Sequence, residues 1–439
     1  MTVATLPKAV SQDIMEQWLY FNEPQRAVDR LIKRSGPLAP LHFMGQDHVF
    51  VFTAEGARQV FGGDPAGYDP FFKQGFMGVS GPGSLWVLAG AEHRRERQLF
   101  APAVHASHFR KHGDTVRNIA RHHIQTWQPG KTIKAMDTTL SISRDVIMRL
   151  VFGVEEGELM DEGREIVDEL RRALNPLIVF IPQLQKRWFP PWRRYDRAKD
   201  HFTDWVNRLL AVRRANSGAT DDVLGVMLNT KHEDGSPMQD SEIRDELITI
   251  LQGGHETTAA VLAWALYELG RHPEILAKLR DELESSGVAD DPSQIIKLPY
   301  LGAICDETVR LHPILSECAR VLTAPLEVLG YTIPAGNALV VSITAIHHDP
   351  SIYPEPNCFI PERFIERTYS RSEFLPFGGA HRRCIGAALS EYETRISLAE
   401  MVLNWDFKTA GTDYDVRHDV AMGPKYGVPL HIKAKRNNA

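Results

Sequence analysis

Hydrophobic residues recur every three or four positions along most of this chain, which is the period of an amphipathic helix. The pattern predicts helices over residues 13–32, 92–125, 138–152, 158–174, 195–214, 240–270, 273–285 and 298–311. Alternation of apolar and polar residues predicts a hairpin over 41–52 and strands over 320–329, 338–342 and 428–432. The sequence therefore predicts a mainly α fold with a small antiparallel β subdomain.

No break in composition divides this helical pattern. The chain has 439 residues, of which 43% are hydrophobic, and this is enough to bury a large core. It contains turn-forming clusters, but no repeat and no Ser/Gly/Pro-rich tract of the kind that links domains. We expect a single domain over residues 1–439.

Charge and cysteine content exclude several classes of protein. A formal net charge of −6 gives no electrostatic basis for binding nucleic acid. No apolar run is long enough to span a membrane, and the first residues lack the apolar stretch of a signal peptide. The four cysteines have no paired spacing, which suits a reducing compartment. The sequence predicts a cytoplasmic protein without a membrane span.

Cys384 stands out because it lies in a Gly-rich loop beside two arginines. The loop covers residues 376–386, PFGGAHRRCIG, and leads into an apolar run typical of a helix. Positive charge, a helix N-terminus or a metal stabilises a thiolate, and this loop can supply all three. One cysteine without a nearby partner cannot form a zinc or iron–sulfur site, so a haem iron is the most economical metal. The alternative is a buried free cysteine, the commonest state for an arbitrary one.

A second unusual segment lies inside the predicted helix 240–270. Residues 251–258 read LQGGHETT, and two adjacent glycines cost a helix about 1 kcal/mol each relative to alanine. The Thr257 hydroxyl can bond the Gly253 carbonyl and open the helix into a groove for a diatomic ligand and water. Glu256 adds an ionisable group for proton transfer. A zinc-peptidase motif beginning at His255 fails, because its second histidine is replaced by Ala259.

Charged residues form further patterns. Glu307 and Arg310 lie three apart on one predicted helical face and can pair. Taken alone, they would form a surface ion pair worth under about 1 kcal/mol. His93 and Arg97 lie four apart on another helical face. Basic clusters occur at 93–97, 192–197 and 381–383, and most clusters of this kind are solvated faces.

The loop around Cys384 resembles the haem loop of the cytochrome P-450 family. The family places Phe, Arg, Cys and Gly where this chain has Phe377, Arg382, Cys384 and Gly386. One position departs, because the family usually has glycine where Ala380 stands, and alanine is strained if the backbone there needs a positive φ. The segment 251–258 is similar to the family's oxygen-activation motif and precedes the cysteine in the family's order.

The resemblance implies that haem b lies between the long Gly-Gly-His-Glu-Thr-Thr helix and the Cys384 loop. Cys384 would be the axial iron ligand, and Phe377 would shield its sulfur. Thr257 would be the alcohol and Glu256 the acid of oxygen activation. The residues implied to hold the haem propionates are His93, Arg97, Arg320 and Arg382. Of these, Arg320 is expected at the start of a strand.

Three further charged residues resemble the family's Glu-Arg-Arg network. They are Glu307, Arg310 and, from the segment PERF at 361–364, Arg363. The resemblance implies that they form a buried triad, which braces the Cys384 loop and on which haem retention depends.

The implied function is that of a haem-thiolate monooxygenase, which inserts one oxygen atom from O₂ into a hydrophobic substrate that is fatty-acid-like or terpenoid-like. Apolar stretches at 71–79, 85–88, 177–181 and 188–192 stand where the family builds its pocket lid and entrance, although each could equally be core.

No flavin-binding or iron–sulfur segment is present, so electrons should come from a separate ferredoxin or flavodoxin with its reductase. If they are exposed, Arg94, Arg95 and Arg383 would form a basic docking face for that partner. Two other functions stay open. One is a haem-thiolate peroxygenase that uses hydrogen peroxide, against which Glu256 and Thr257 argue. The other is a non-enzymatic haem sensor or carrier, which has little use for a proton relay.

Overall fold

Most of the described chain is helical, which confirms the predicted fold class. The computed structural model describes residues 4–5, 10–11, 19, 23–43, 46–215, 221–411, 416–418 and 421–436. Among these residues, no helix is both long enough and apolar enough to cross a lipid bilayer. The α-helices are Pro24–Ser35, Ala54–Gly62, Lys73–Ser80, Gly90–Phe100, Ala106–Phe109, Gly113–Ile124, Ala135–Leu150, Glu158–Ala173, Pro176–Phe180, Pro190–Ala215, Val223–Asn229, Asp240–Arg271, Pro273–Ser285, Pro292–Ile295, Pro299–Leu311, Ile343–His347, Arg363–Glu366 and Ala387–Asn404.

The six helices predicted between residues 138 and 311 are present, with ends within five residues of those expected. The single helix predicted over 92–125 is wrong, because the chain forms three α-helices with a short 3-10 turn in this region. Pro102 cannot donate a backbone N–H, and the His105 side chain caps a new helix by accepting from the Ser107 N–H. Of the predicted helix 13–32, residues 13–18 and 20–22 lie outside the described residues. The helix Pro24–Ser35 covers its later part.

The strands form small sheets, and the largest of these also contains parallel pairs. The strands are Ala4–Thr5, Val10–Ser11, Leu38–Phe43, Gln46–Val51, Tyr68–Pro70, Thr132–Lys134, Glu317–Leu322, Leu326–Val328, Tyr331–Ile333, Ala338–Ser342, Trp405–Thr409, Val416–His418, Met422–Pro424 and Pro429–Lys435. The predicted hairpin is present, with Leu41 opposite His48 in an antiparallel pair. The strand Ala338–Ser342 runs parallel to Gln46–Val51 and antiparallel to Glu317–Leu322.

The strand predicted over 320–329 is divided. Glu317–Leu322 and Leu326–Val328 belong to different sheets. The chain leaves the first sheet where the Thr323 N–H donates to the Gly67 carbonyl, and Pro325, which has no N–H, cannot continue the ladder. Arg320 therefore lies inside a strand rather than at its start.

The helix Asp240–Arg271, called the central helix below, runs through the core. It begins with a capping box, in which the Gln239 N–H donates to the Glu242 carboxylate over 2.7 Å. It packs against the helices Ala135–Leu150, Pro299–Leu311 and Ala387–Asn404. Because the last of these helices starts three residues after Cys384, this packing brings the central helix beside the Cys384 loop.

Candidate active site

The loop 376–386, called the Cys loop below, is a tight turn held by its own backbone. The Cys384 N–H donates to the Phe377 carbonyl over 2.9 Å. A Cβ added at Gly379 would lie 2.5 Å from the Phe61 ring, so only glycine fits there. Ala380 has φ +57°, so the strain expected for alanine at this turn is present.

Opposing effects act on the Cys384 sulfur. Burial raises the pKa of the thiol, whereas backbone N–H groups of Gly386 and Ala387 and the charges of Arg383 and Arg97 lower it. Burial prevails, so the pKa lies above its ordinary value. Part of the side chain is nevertheless accessible. The loop alone therefore does not provide a thiolate at neutral pH, and a bound metal would supply the missing stabilisation.

Four basic side chains converge near this loop. His93 and Arg97 come from the helix Gly90–Phe100, Arg320 from its strand, and Arg382 from the Cys loop itself. Burial and the charges of Arg382 and Arg97 lower the pKa of His93 to about 3. Burial and the charge of Arg320 lower the pKa of Arg382 to about 10. These shifts show that the basic groups are close enough to disfavour one another's charge.

The guanidinium groups of this cluster bond to backbone carbonyls instead of carboxylates in the described part of the chain. Arg382 donates to the carbonyls of Leu85, over 3.2 Å, and Leu88. Arg97 donates to the Arg383 carbonyl over 2.7 Å, and Arg320 donates to the Ala319 carbonyl over 2.8 Å. The Nε of Arg382 is buried and has no partner among the described residues. The cluster therefore has unused capacity to bind an anion.

Glu307, Arg310 and Arg363 form a buried triad. Arg310 donates to both Glu307 oxygens, over 2.6 and 2.7 Å, and Arg363 Nε donates to Glu307 Oε1 over 3.1 Å. The side chains of Glu307 and Arg310 are 0% exposed. The triad is connected to the Cys loop through His347. Arg310 donates to the His347 carbonyl over 2.9 Å, and His347 Nε2 accepts from the Leu375 N–H over 3.0 Å, one residue before the loop begins.

The central helix presents Thr257 as the sequence predicts. Its hydroxyl donates to the Gly253 carbonyl over 2.6 Å. Helical structure continues through this segment, so the expected opening is not a break in the helix. Glu256 is adjacent and half-buried. His255 lies on the opposite, buried side, where its Nε2 is 2.9 Å from the Leu140 carbonyl oxygen and burial lowers its pKa to about 4.

Two features of the central helix were not predicted from the sequence. A Cβ at Gly253 would lie 3.1 Å from the Trp86 ring, so the glycine permits a close approach of this indole. Glu246 is fully buried, and its carboxylate accepts the Leu85 N–H over 2.8 Å, which fixes the segment that carries Trp86. The signal for Glu246 was its position on the buried face of the helix pattern, between Ile243 and Leu247. No signal in the sequence pairs Trp86 with Gly253, because they are far apart in the chain.

Comparison with known proteins decides the family. The sequence profile of the cytochrome P450 family matches residues 14–427. The chain belongs to the cytochrome P450 family. Putative cytochrome P450 135A1 of Mycobacterium tuberculosis is 31% identical over 397 residues, which cover 89% of this chain and 86% of that protein. Putative cytochrome P450 138 of Mycobacterium bovis is 30% identical over 443 residues, which cover 97% of this chain and 96% of that protein.

A solved structure, retinoic acid bound cyanobacterial CYP120A1, superimposes with a TM-score of 0.85. The match covers 95% of this chain and 96% of that chain at 20% sequence identity, which shows a shared fold. Family membership makes this cytochrome P450 a haem-thiolate monooxygenase, an oxidoreductase whose cofactor is haem b.

The residues present fit haem b. The group needs one axial ligand, and Cys384 offers an accessible sulfur with backbone N–H groups directed at it. It also carries two propionates, and the cluster of His93, Arg97, Arg320 and Arg382 has a buried donor without a partner among the described residues.

Proposed function

We propose that Cys384 is the axial haem ligand of this P450. This assignment rests on features that occur together at the Cys loop. The thiol is accessible, backbone N–H groups point at its sulfur, and the nearby basic cluster has a buried donor without a partner among the described residues. When bound, the haem supplies the redox chemistry that inserts one atom of O₂ into a substrate and releases the other as water, at the expense of two electrons and two protons. The N–H groups of Gly386 and Ala387 would moderate the charge on the sulfur, and Phe377 would shield it from water.

His93, Arg97, Arg320 and Arg382 are proposed to bind the propionates. Arg382 and Arg320 are held in place by backbone carbonyls, so their guanidinium groups are oriented before the ligand arrives. His93 is neutral at pH 7, since its pKa of about 3 lies far below that pH, and it would act as a hydrogen-bond donor rather than as a charge.

Thr257 and Glu256 are proposed to deliver protons through water, with Thr257 as the alcohol and Glu256 as the acid. The Thr257 hydroxyl donates to Gly253, so its oxygen lone pairs stay available to accept from water or from the reacting group. Glu256 immediately precedes Thr257 on the same helix turn and is half-buried, which leaves it a route to solvent for reprotonation.

The substrate is proposed to be largely hydrocarbon, of the fatty-acid or terpenoid type. Aromatic rings gather where the chain between residues 71 and 86 meets the helix Pro176–Phe180. Phe72 and Phe180 have ring centroids 4.8 Å apart, as do Phe76 and Trp86. Trp86 in turn covers Gly253, one turn before Thr257. An apolar wall next to the proposed oxygen site favours an apolar substrate.

Electrons are proposed to come from a ferredoxin or flavodoxin with its reductase. Arg94, Arg95 and Arg383 are exposed, as such a docking face requires. We also propose a reducing, cytoplasmic setting, because the four cysteines are free and form no disulfide. Charge reversal at the three arginines should slow reduction and weaken its dependence on salt, and unchanged kinetics would contradict this docking face.

The test of the monooxygenase assignment follows the oxygen atom. Haem-loaded protein is supplied with NADH, a ferredoxin, its reductase, isotopically labelled dioxygen and a set of fatty acids and terpenoids that change the haem absorption spectrum. We expect one labelled atom in the product. Thr257→Ala should lower labelled product per NADH at least tenfold, and Thr257→Ser should restore most of it.

Product formed from hydrogen peroxide without NADH, at an undiminished rate in Thr257→Ala, would instead support a peroxygenase. Spectral binding of ligands without NADH-dependent oxygen consumption would support a sensor or carrier.

A further inference from the structure

The basic cluster between residues 186 and 197 is not part of the proposed haem site. Between residues 186 and 197 the chain has five Lys or Arg residues and one Asp, a net charge of +4 on a protein whose total is −6. Such separation of charge within an acidic protein concentrates a positive field at one place on its surface.

The positive charges of this cluster are exposed and available. On the helix Pro190–Ala215, Arg193, Arg194 and Arg197 share one exposed face, while Trp192 and Tyr195 are buried on the other. Within the described chain, none of the cluster's five cations forms an ion pair with a carboxylate. Later on the same helix, in contrast, Arg208 pairs with Glu162, and Arg214 pairs with Asp240 over 2.5 Å.

Exposed apolar side chains occur beside this cluster in the chain and on two segments bonded to it. Trp188 is 69% exposed, Leu177 47% and Met77 42%. The three segments that carry them are joined by hydrogen bonds, since the Gln185 side chain donates to the carbonyls of Gly75 and Ile178, each over 2.8 Å. Lys199 adds a bond to the Gly78 carbonyl over 2.9 Å. The exposed Trp, Leu and Met side chains and the cations without carboxylate partners therefore lie on segments that are bonded to one another. We call this set of side chains the lid surface, and its residues are Met77, Leu177, Lys186, Arg187, Trp188, Arg193, Arg194 and Arg197.

We propose that the lid surface binds the surface of an anionic lipid bilayer. Indole rings favour the boundary between headgroups and hydrocarbon, and Lys and Arg are attracted to anionic headgroups. A bilayer offers an apolar phase for the exposed side chains and anionic headgroups for the cations. An acidic protein would leave Trp188, Leu177 and Met77 in water unless it carried a matching apolar pocket.

The same segments also carry the aromatic rings of the proposed pocket, Phe72 and Phe180, which are half-buried and whose centroids lie 4.8 Å apart. A lipid-bound lid would therefore place the pocket next to the phase in which an apolar substrate dissolves. This last consequence rests on the proposed function, but the binding of lipid does not.

Co-sedimentation of the haem-loaded, substrate-free protein with vesicles tests the proposal. Vesicles of phosphatidylcholine alone are compared with vesicles that contain phosphatidylglycerol, at low and high salt. We expect binding that requires the anionic lipid and weakens with salt. Arg193→Gln combined with Arg194→Gln should lower the partition coefficient roughly tenfold or more, since each cation near the surface contributes about a factor of five. Trp188→Ser should lower it several-fold, and blue-shifted tryptophan emission on binding should disappear in this variant.

The matched control is Lys433→Gln combined with Lys435→Gln, which removes two exposed charges from the strand Pro429–Lys435. It should leave binding unchanged. The proposal would be overturned if the control lost as much vesicle binding as the arginine variant. It would also be overturned if the protein bound neutral vesicles equally well or bound neither kind of vesicle. Binding to an acidic carrier protein but not to vesicles would overturn it in favour of a protein partner. None of these outcomes depends on turnover, so a failed monooxygenase assay would not be mistaken for a failed lipid assignment.

Discussion

Two Glu–Arg pairs in this protein share the same spacing on a helix and differ in their surroundings. Glu55 and Arg58 lie on the helix Ala54–Gly62, where their side chains are 51% and 65% exposed. Glu307 and Arg310, on the helix Pro299–Leu311, are 0% exposed. In the sequence the pairs look alike. Water can replace either partner at the surface, but the buried charges have only each other, Arg363 and nearby backbone groups, so burial decides what such a pair contributes.

The largest test of this contrast is the removal of one charge from each pair. Glu307→Gln leaves Arg310 and Arg363 without their carboxylate in the interior, which should cost about 3–5 kcal/mol in the free energy of unfolding. Because the triad is linked to the Cys loop through His347, the variant should also lose haem on purification. Haem absorbance per protein and urea denaturation measure both effects.

Glu55→Gln is the matched control, and it should change neither haem content nor stability appreciably. If both variants behaved alike, the difference in burial between the two pairs would have no energetic meaning.

Titration of a buried histidine gives a test of intermediate size. Burial lowers the pKa of His255 to about 4, against about 6.5 for an unfolded chain. The unfolded state therefore binds a proton first, and stability present above pH 6.5 is lost as the pH falls toward 4, by roughly 3 kcal/mol. His255→Gln should remove this part of the acid destabilisation in denaturation curves measured between pH 7 and pH 4.

A His255→Gln profile that overlies the wild-type profile would show that this buried ring does not couple folding to pH.

The smallest test concerns backbone strain at Ala380. Alanine at φ +57° is disfavoured, and glycine adopts this conformation freely. Ala380→Gly should raise the free energy of unfolding by up to about 1 kcal/mol, whereas Ala91→Gly, in the first turn of the helix Gly90–Phe100, should lower it. Thermal denaturation of the two variants should give shifts of opposite sign, and a loss of stability in Ala380→Gly would mean that the turn is not strained.

The sequence predicted elements that depend on local pattern. The central helix and its neighbours follow from hydrophobic periodicity, and the Cys loop, Thr257 and the Glu307 triad follow from motifs in fixed order. The helix predicted over 92–125 failed because Pro102 interrupts a pattern whose periodicity continues on both sides. The strand predicted over 320–329 failed for a similar reason at Pro325.

Long-range contacts could not be predicted in this way. The approach of Trp86 to Gly253 and the bond from Leu85 to Glu246 depend on packing between distant segments. The raised pKa of the Cys384 thiol could not be predicted either. The sequence shows the nearby arginines, which lower this pKa, but not the burial, which raises it. The single domain over residues 1–439 and the functional roles of the site residues stay predictions.

Ligation of the haem iron by Cys384 is the claim on which the site depends. The direct measurement is the absorption difference spectrum of the reduced protein with and without carbon monoxide, for the wild-type protein, Cys384→Ala and Cys358→Ala, the last removing another exposed free cysteine. We expect a strongly red-shifted maximum in the wild-type protein and in Cys358→Ala, and its loss in Cys384→Ala. A red-shifted maximum that survives in Cys384→Ala, or that is missing from the wild-type protein, would contradict this claim.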